Sequence, residues 1–398
     1  MKIVCDAKVL RDALQNVQRA VASKSSIEVL EGVLIKAKSQ TELFLCGYNL
    51  EIGITTNISA QIEEPSGFVV DPKILTDILR KTESTDVSIE VNSNLDTLIE
   101  SGKSKFTIKA LPETEYPVLP NVDSNSTINL ESNTLRKMIK QTIFAASLLD
   151  ERPVNTGTLF DIKGNLLTMV SVDNFRLAKT CTTLNNKNTL EIKFIVPAKT
   201  LSELVRLMPG EKEDESSSDN KKKSDDDSEE NDKNSSKDSV EMISIFIGEH
   251  HVVFTAFGYS IISRRIEGNF LDYDSAIPKT SSSSLKVNTR ELISCIDRVS
   301  VLISERVKSP VRLKFTEDLI SFSCQSPLGE SEDSLSLNYT GEDFEIGLNS
   351  KYILDALKNA DTDIVNLEFS GPLAPVKITP LSGDSFVFLV LPVRLVAD

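Results

Sequence analysis

The 398-residue chain is poor in histidine and cysteine. It has two histidines, His250 and His251, adjacent in an expected hairpin turn, so no Ser-His-Asp or Cys-His set can be built from them. The five cysteines (Cys5, Cys46, Cys181, Cys295, Cys324) lie far apart and form no Cys-x-x-Cys pair. That spacing argues against a zinc knuckle or a redox motif, and the odd count suits a reducing compartment. All five are expected to be packing residues. No apolar run reaches membrane-spanning length, and the opening Met1-Lys-Ile-Val-Cys-Asp has no long apolar stretch, so neither a membrane span nor a secretory signal is expected. Gly102-Lys103-Ser104 matches the end of a phosphate-binding loop, but Thr97 stands where its first glycine is required and a strand is expected to follow. Glu151, Asp173 and Asp272 are scattered acids. Their convergence on a metal would make a hydrolytic enzyme, which stays an open alternative.

What the chain does contain is a paragraph written three times. Each copy opens with an amphipathic helical run: Lys8–Ser23, Leu135–Leu149 and Leu292–Ser304. A strand leading into a second helix follows, as Phe68-Val-Val-Asp-Pro-Lys-Ile-Leu, Phe194-Ile-Val-Pro-Ala-Lys-Thr-Leu and Phe344-Glu-Ile-Gly-Leu-Asn-Ser-Lys-Tyr-Ile-Leu. Each copy ends near proline, at Tyr116–Pro120, Tyr273–Pro278 and Leu391–Leu395. Three domains of roughly 130 residues fit this length, each able to bury a core. Helical period puts Val9, Leu10, Ala13, Leu14, Val17, Ala20 and Val21 on one stripe, with Arg11 and Arg19 off it. In the second copy Arg136, Lys137 and Lys140 lie off the Leu135, Met138, Ile139 and Ile143 stripe. Runs such as Leu166–Val172, Ile243–Ile247 and Phe386–Leu391 read as strands. The expected fold is α+β: three repeated domains, each with two helices on antiparallel sheets.

Net charge is −15, but it is unevenly spread. The helical segments 6–24, 72–83, 132–150 and 197–210 carry +2, +1, +2 and +1, and those of the third copy are neutral, so the remainder carries −21. Local fields of this kind steer partners more than the total does. Residues 211–240 hold twelve acids and six bases with Val240 as the one apolar residue, a composition expected to stay disordered. Lys103 and Lys105 in the first copy fall at strand period, as do Glu330 and Glu332 in the third, with Asp333 beside them. Complementary edges could meet head to tail between two molecules, and such a contact makes a ring when it closes.

Six segments resemble one family: Cys46-Gly-Tyr-Asn-Leu-Glu51, Ser101-Gly-Lys-Ser-Lys-Phe106, Arg152-Pro-Val-Asn-Thr-Gly157, Val172-Asp-Asn-Phe-Arg-Leu177, Glu267-Gly-Asn-Phe-Leu-Asp-Tyr273 and Leu391-Pro-Val-Arg-Leu395. The family is the beta subunit of bacterial DNA polymerase III, a sliding clamp. The resemblance implies domains over 1–122, 127–279 and 284–398, and a cytoplasmic, non-catalytic, head-to-tail homodimeric ring of six domains around duplex DNA, with no cofactor. Helices would line the hole, with Lys24, Lys73, Arg80, Arg136, Lys137, Lys140, Lys199 and Arg206 facing phosphate irrespective of sequence. A cleft for peptides of the polymerase alpha subunit, the clamp loader and other clients carrying a clamp-binding motif would be lined by Asn155, Val172, Asn174, Phe175, Arg176, Leu177, Leu271, Ser275, Ala276 and Val390, Leu391, Pro392, Val393, Arg394, Leu395. The dimer contact would set Lys103 and Lys105 against Glu330, Glu332 and Asp333 around Leu302 and Ile303. Asn155 and Asn174-Phe175 depart from the family's usual residues. A repeat scaffold that binds peptides without enclosing DNA is the rival reading.

Overall fold

The computed structural model describes residues 1–82, 84–123, 126–149, 151–185, 190–209, 241–303, 309–337, 339 and 343–395. The acidic run expected at 211–240, Ser304 and the last residues 396–398 lie outside them. Among the described residues the helices are α1 (Ala7–Val17), α2 (Pro72–Lys81), α3 (Ser132–Ile143), α4 (Ala198–Leu207), the single turn α5 (Tyr273–Ala276), α6 (Thr289–Val299) and α7 (Ser350–Lys358). The long ones come in pairs, α1 with α2, α3 with α4 and α6 with α7, one pair per copy of the repeat.

Local chemistry explains where these helices start. Asp6, Asp71, Asn288 and Asn349 each end or follow a strand, hold extended backbone and accept the amide of a residue two or three positions on, at 2.8–3.3 Å. A short polar side chain there satisfies donors that the first turn leaves unpaired. Pro72 adds a fixed φ at the first position of α2. The expected stripe on α1 holds for Leu10, Ala13, Leu14 and Val17, which are buried, but Val9 is 47% exposed and lies off it. The opening helices also stop sooner than expected. α1 and α6 give way to 3-10 turns at Gln18–Ala20 and Ser300–Leu302, and α3 ends at Ile143.

The described strands form four antiparallel sheets of five, nine, eight and four strands. The two wide sheets are shared between neighbouring copies. In the nine-stranded sheet Ile52–Ser59 of the first copy pairs with Tyr259–Arg264 of the second. In the eight-stranded sheet Arg176–Thr183 of the second pairs with Phe386–Val390 of the third. The narrow sheets stand at the ends of the chain: the five-stranded one has Ser104–Lys109 at one edge, and the four-stranded one has Gly329–Ser336.

Two large cores lie beneath the helices. One joins the first and second copies through residues such as Ile54, Phe160 and Phe254. The other joins Ala145 and Ala178 of the second copy to Phe315, Phe369 and Phe388 of the third. Each fully buried Ile or Phe contributes about 1.5–3 kcal/mol of transfer free energy, so the repeat is fused rather than strung. Smaller clusters lie where copies meet, one around Tyr48 and Tyr116, the other around Leu177 and Tyr273. No helix among the described residues is long and apolar enough to cross a membrane.

Candidate functional site

The sharp turn after Leu166–Val172 is set by Asp173. Its Oδ1 accepts the amides of Phe175 at 2.7 Å and Arg176 at 2.9 Å, a local turn that only a short acceptor side chain makes. The turn throws Phe175 outward, 52% exposed and stacked on Tyr352 of α7 at 5.8 Å. Arg176 stays half-buried beneath. It donates Nε to Asp173 Oδ2 at 3.0 Å and Nη1 to Asp355 Oδ2 at 2.6 Å, and lies over the Tyr352 ring at 4.6 Å. It thereby ties the second copy to the third.

The C-terminal segment crosses this region. The Leu391 amide donates to the Phe175 carbonyl at 2.8 Å and the Val393 amide to that of Gly347 at 2.8 Å. A Cβ at Gly347 would stand 2.6 Å from Leu395 Cδ2, so glycine there lets the segment lie close. Leu391 and Val393 remain 40% and 39% exposed. With Phe175, Ile303, Tyr352 and Pro392 they border a groove of about 960 Å³.

The expected cleft residues divide by strand alternation. Val172 and Leu177 lie in an outer apolar cluster with Tyr273, Val387 and Leu389. Val390 does not join them: successive strand residues face opposite ways, and Val390 is in the helix-side core with Phe386 and Phe388. The correct partner is Leu389, which the period-2 pattern of Phe386–Val390 could have identified. Leu271, 49% exposed, borders a separate hollow of about 610 Å³ with Lys193, Arg265 and Phe270. Asn174, Ser275, Ala276 and Arg394 are exposed, and Asn155 is half-buried, with its carbonyl accepting the Ser147 amide at 2.8 Å.

Of the basic set, Lys24, Lys73, Arg80, Lys137, Lys140, Lys199 and Arg206 are exposed. Arg136 is not. It is buried and donates to the Pro209 carbonyl, so it serves packing of α3 on the segment after α4, and its place in the phosphate-facing set is withdrawn. Arg80, Lys137 and Arg206 pair with Asp77 at 3.4 Å, Asp361 at 2.7 Å and Glu203 at 2.7 Å. The helices therefore present a field weaker than a count of cations suggests.

At the sheet ends, Lys103 sits in the tight turn beside Gly102 (φ +59°), not on the strand, and Lys105 pairs with Glu100, which holds its ammonium above the usual range. On Gly329–Ser336 the alternation sends Asp333 inward to Arg298 at 2.6 Å. Burial works against its charge, but the Ser334 amide and Arg298 hold its carboxyl below the usual range. Glu330 and Glu332 face outward. Leu302 packs toward Gly329, whereas Ile303 turns into the groove by Tyr352. Ile303 is accordingly removed from the edge. Val301, 78% exposed, and Phe106, 36% exposed on the opposite edge strand, are apolar edge residues that the sequence reading missed. Asp173 is committed to its turn and to Arg176, and among the described residues no three of His, Cys, Asp and Glu come together as metal ligands.

The family models for the N-terminal, central and C-terminal domains of the DNA polymerase III beta subunit match residues 1–120, 129–216 and 274–394. The beta sliding clamp of Staphylococcus aureus is 31% identical over 395 residues, 96% of each chain. That of Staphylococcus epidermidis is 30% identical over 391 residues, again 96% of each. The crystal structure of the Bacillus subtilis DNA polymerase sliding clamp superposes with a TM-score of 0.88 at 28% identity, over 100% of both chains. A threefold repeat, sheets that run across its joints and matches over nearly the whole length agree: the chain belongs to the DNA polymerase III beta subunit family, the sliding clamps that serve DNA replication as non-catalytic processivity subunits.

Proposed function

We propose that two copies of this chain, each with domains over 1–122, 127–279 and 284–398, close head to tail into a ring by adding the Ser104–Lys109 edge of one to the Gly329–Ser336 edge of the other. One observation carries this reading. Both joints inside the chain are made by strand pairing between neighbouring copies, and the chain ends in a five-stranded and a four-stranded sheet, each with an edge strand to offer. Joined, they make a third sheet as wide as the nine- and eight-stranded ones. Lys103 and Lys105 then approach Glu330 and Glu332 of the partner. Exposed ion pairs are worth about 0–1 kcal/mol, and Lys105 and Asp333 already have partners in their own chain. Affinity therefore rests on Phe106 meeting Leu302 and Val301.

Within the ring, Lys24, Lys73, Arg80, Lys137, Lys140, Lys199 and Arg206 face the phosphates of duplex DNA in the cytoplasm. Contacts to phosphate carry no sequence information, so they guide sliding, while topology supplies retention. The groove between Phe175, Tyr352, Leu391 and Val393, with the Leu177 cluster as its continuation, takes apolar anchors of peptides from the polymerase alpha subunit, the clamp loader and other clients.

The test is retention on nicked circular DNA. The wild-type ring is expected to stay until the circle is cut and then run off, whereas equal loss from circular and linear DNA would favour the open scaffold. Replacing Val301 with Asp and Leu302 with Ala is expected to give monomer by light scattering and to abolish retention. A persisting dimer would overturn the proposed contact.

A further inference from the structure

The linker turn that packs on the Leu177 cluster, the continuation of the proposed groove, is held by a buried side-chain contact. The chain passes from the second to the third domain through α5, where Asp272, Asp274, Ser275 and Ala276 are exposed and Tyr273 alone is buried. Its ring lies in the outer cluster with Val172, Leu177 and Leu389. Its hydroxyl donates to Asp161 Oδ2 at 2.8 Å. Asp161, in the strand Gly157–Gly164, is 1% exposed, and its other oxygen, Oδ1, has no hydrogen-bond partner. A buried carboxylate with one unsatisfied oxygen is costly, so the groups that do meet it matter. Besides Tyr273 these are Lys193 Nζ at 3.1 Å and Lys163 Nζ at 3.5 Å. Burial and the carboxylate together push the Tyr273 phenol upward, so it remains a donor throughout the physiological range.

A second tie acts on the same turn. Lys179, on the strand that carries Leu177 and two residues beyond it, pairs with Asp274 at 3.0 Å and lies over the Tyr273 ring at 5.1 Å. The turn is thus gripped from beneath by Asp161 and from the side by Lys179. The equivalent tyrosine of the first linker, Tyr116, gives its hydroxyl to a main-chain carbonyl, that of Cys46 at 3.2 Å. The side-chain carboxylate belongs to the joint that carries the cleft.

We propose that Asp161 and Tyr273 are positioning residues for client binding: their buried hydrogen bond fixes the linker turn against the Leu177 cluster that continues the groove, so peptide affinity depends on a pair that no peptide touches. The inference rests on the cleft reading given above. Precise placement of a binding wall requires support from the residues behind it.

The experiment measures binding of a fluorescein-labelled peptide with Leu and Phe anchors to the full-length protein by anisotropy, with light scattering and thermal melting on the same samples. Tyr273→Phe, which removes one oxygen, is expected to weaken binding about tenfold with the dimer intact. Asp161→Leu, which also takes the partner of Lys193 and Lys163, should weaken it at least as much, and adding Tyr273→Phe to it should cost nothing further, because the phenol's acceptor is already gone. Asp161→Asn keeps an acceptor and should stay within about twofold of wild type. Leu391→Ala reports on the cleft itself. If it weakens binding while Tyr273→Phe lowers only the melting temperature, the pair is merely structural and the inference fails with the cleft intact. If Leu391→Ala binds as wild type does, the cleft reading fails and takes the inference with it.

Discussion

The two joints inside this chain are built to one plan and finished differently. At the first, Asn49 Oδ1 accepts the amides of Glu51 and Ile52; at the second, Asp173 Oδ1 accepts those of Phe175 and Arg176. The Arg264 amide then meets the Glu51 carbonyl at 2.9 Å, as Leu391 meets Phe175 at 2.8 Å. Ile266 meets Ile195 at 3.0 Å, as Val393 meets Gly347 at 2.8 Å. After that the joints part. At the first, the linker Tyr116-Pro-Val-Leu-Pro lays Leu119 into the cluster around Tyr48. At the second, one more residue separates Tyr273 from Ile277 than separates Tyr116 from Leu119, and the linker coils into α5 before Ile277 packs on the Leu177 cluster; Phe175, Leu391 and Val393 stay exposed. The lesson is that the proposed binding groove is the repeat's own joint with exposed apolar side chains, Phe175 and Leu391, where the first joint exposes Glu51 and Arg264, so no new element was needed to make it.

That comparison can be broken at its base or sharpened at its surface. The largest effect is expected from the ladders that both joints share. Phe388→Ala at the second and Ile54→Ala at the first remove side chains that are fully buried, and each should cost about 2–5 kcal/mol in denaturant unfolding. A loss at one joint only would show that the plan is not shared in energy. Next comes removal of residues from Leu391 onward. Peptide binding should fall by at least about thirtyfold, as for loss of a hot spot worth about 2 kcal/mol, with the dimer unchanged by light scattering. The cut begins at Leu391 because Val390 is a core residue, 1% exposed. The smallest effect is chemical. Cys46 at the first joint is buried, and burial pushes its thiol up to about 12, with the Tyr116 hydrogen bond working the other way. Cys181 at the second joint is only half-buried, its thiol raised by the same cause. A thiol reagent at pH 8 should modify Cys181 slowly and leave Cys46 untouched until the protein unfolds. Equal rates would mean the first joint is as open as the second.

Much of the architecture was legible because repetition and period are both sequence properties. The helix stripes, the strand runs and the proline-marked ends of the copies needed no coordinates. What escaped were matters of phase and direction. One residue of register separates Leu389 from Val390, and it decides which face of the sheet each serves. Arg136 sits beside Lys137 and Lys140 in a basic run, but only the path of the chain at Pro209 reveals that its guanidinium is consumed by a carbonyl. Ile303 follows Leu302, yet a tight turn sends them to different sides. The Asp161 contact joins residues 112 positions apart and has no local signature.

The shared sheets carry one further consequence. A strand paired across an internal joint is tethered to its mate, so dilution never separates them. Between two chains the same kind of pairing is bimolecular and weakens as protein becomes scarce. Each crescent should therefore behave as a single stiff piece, and the two seams where crescents meet are where an assembled hoop yields, whether to low concentration or to a machine that prises it apart.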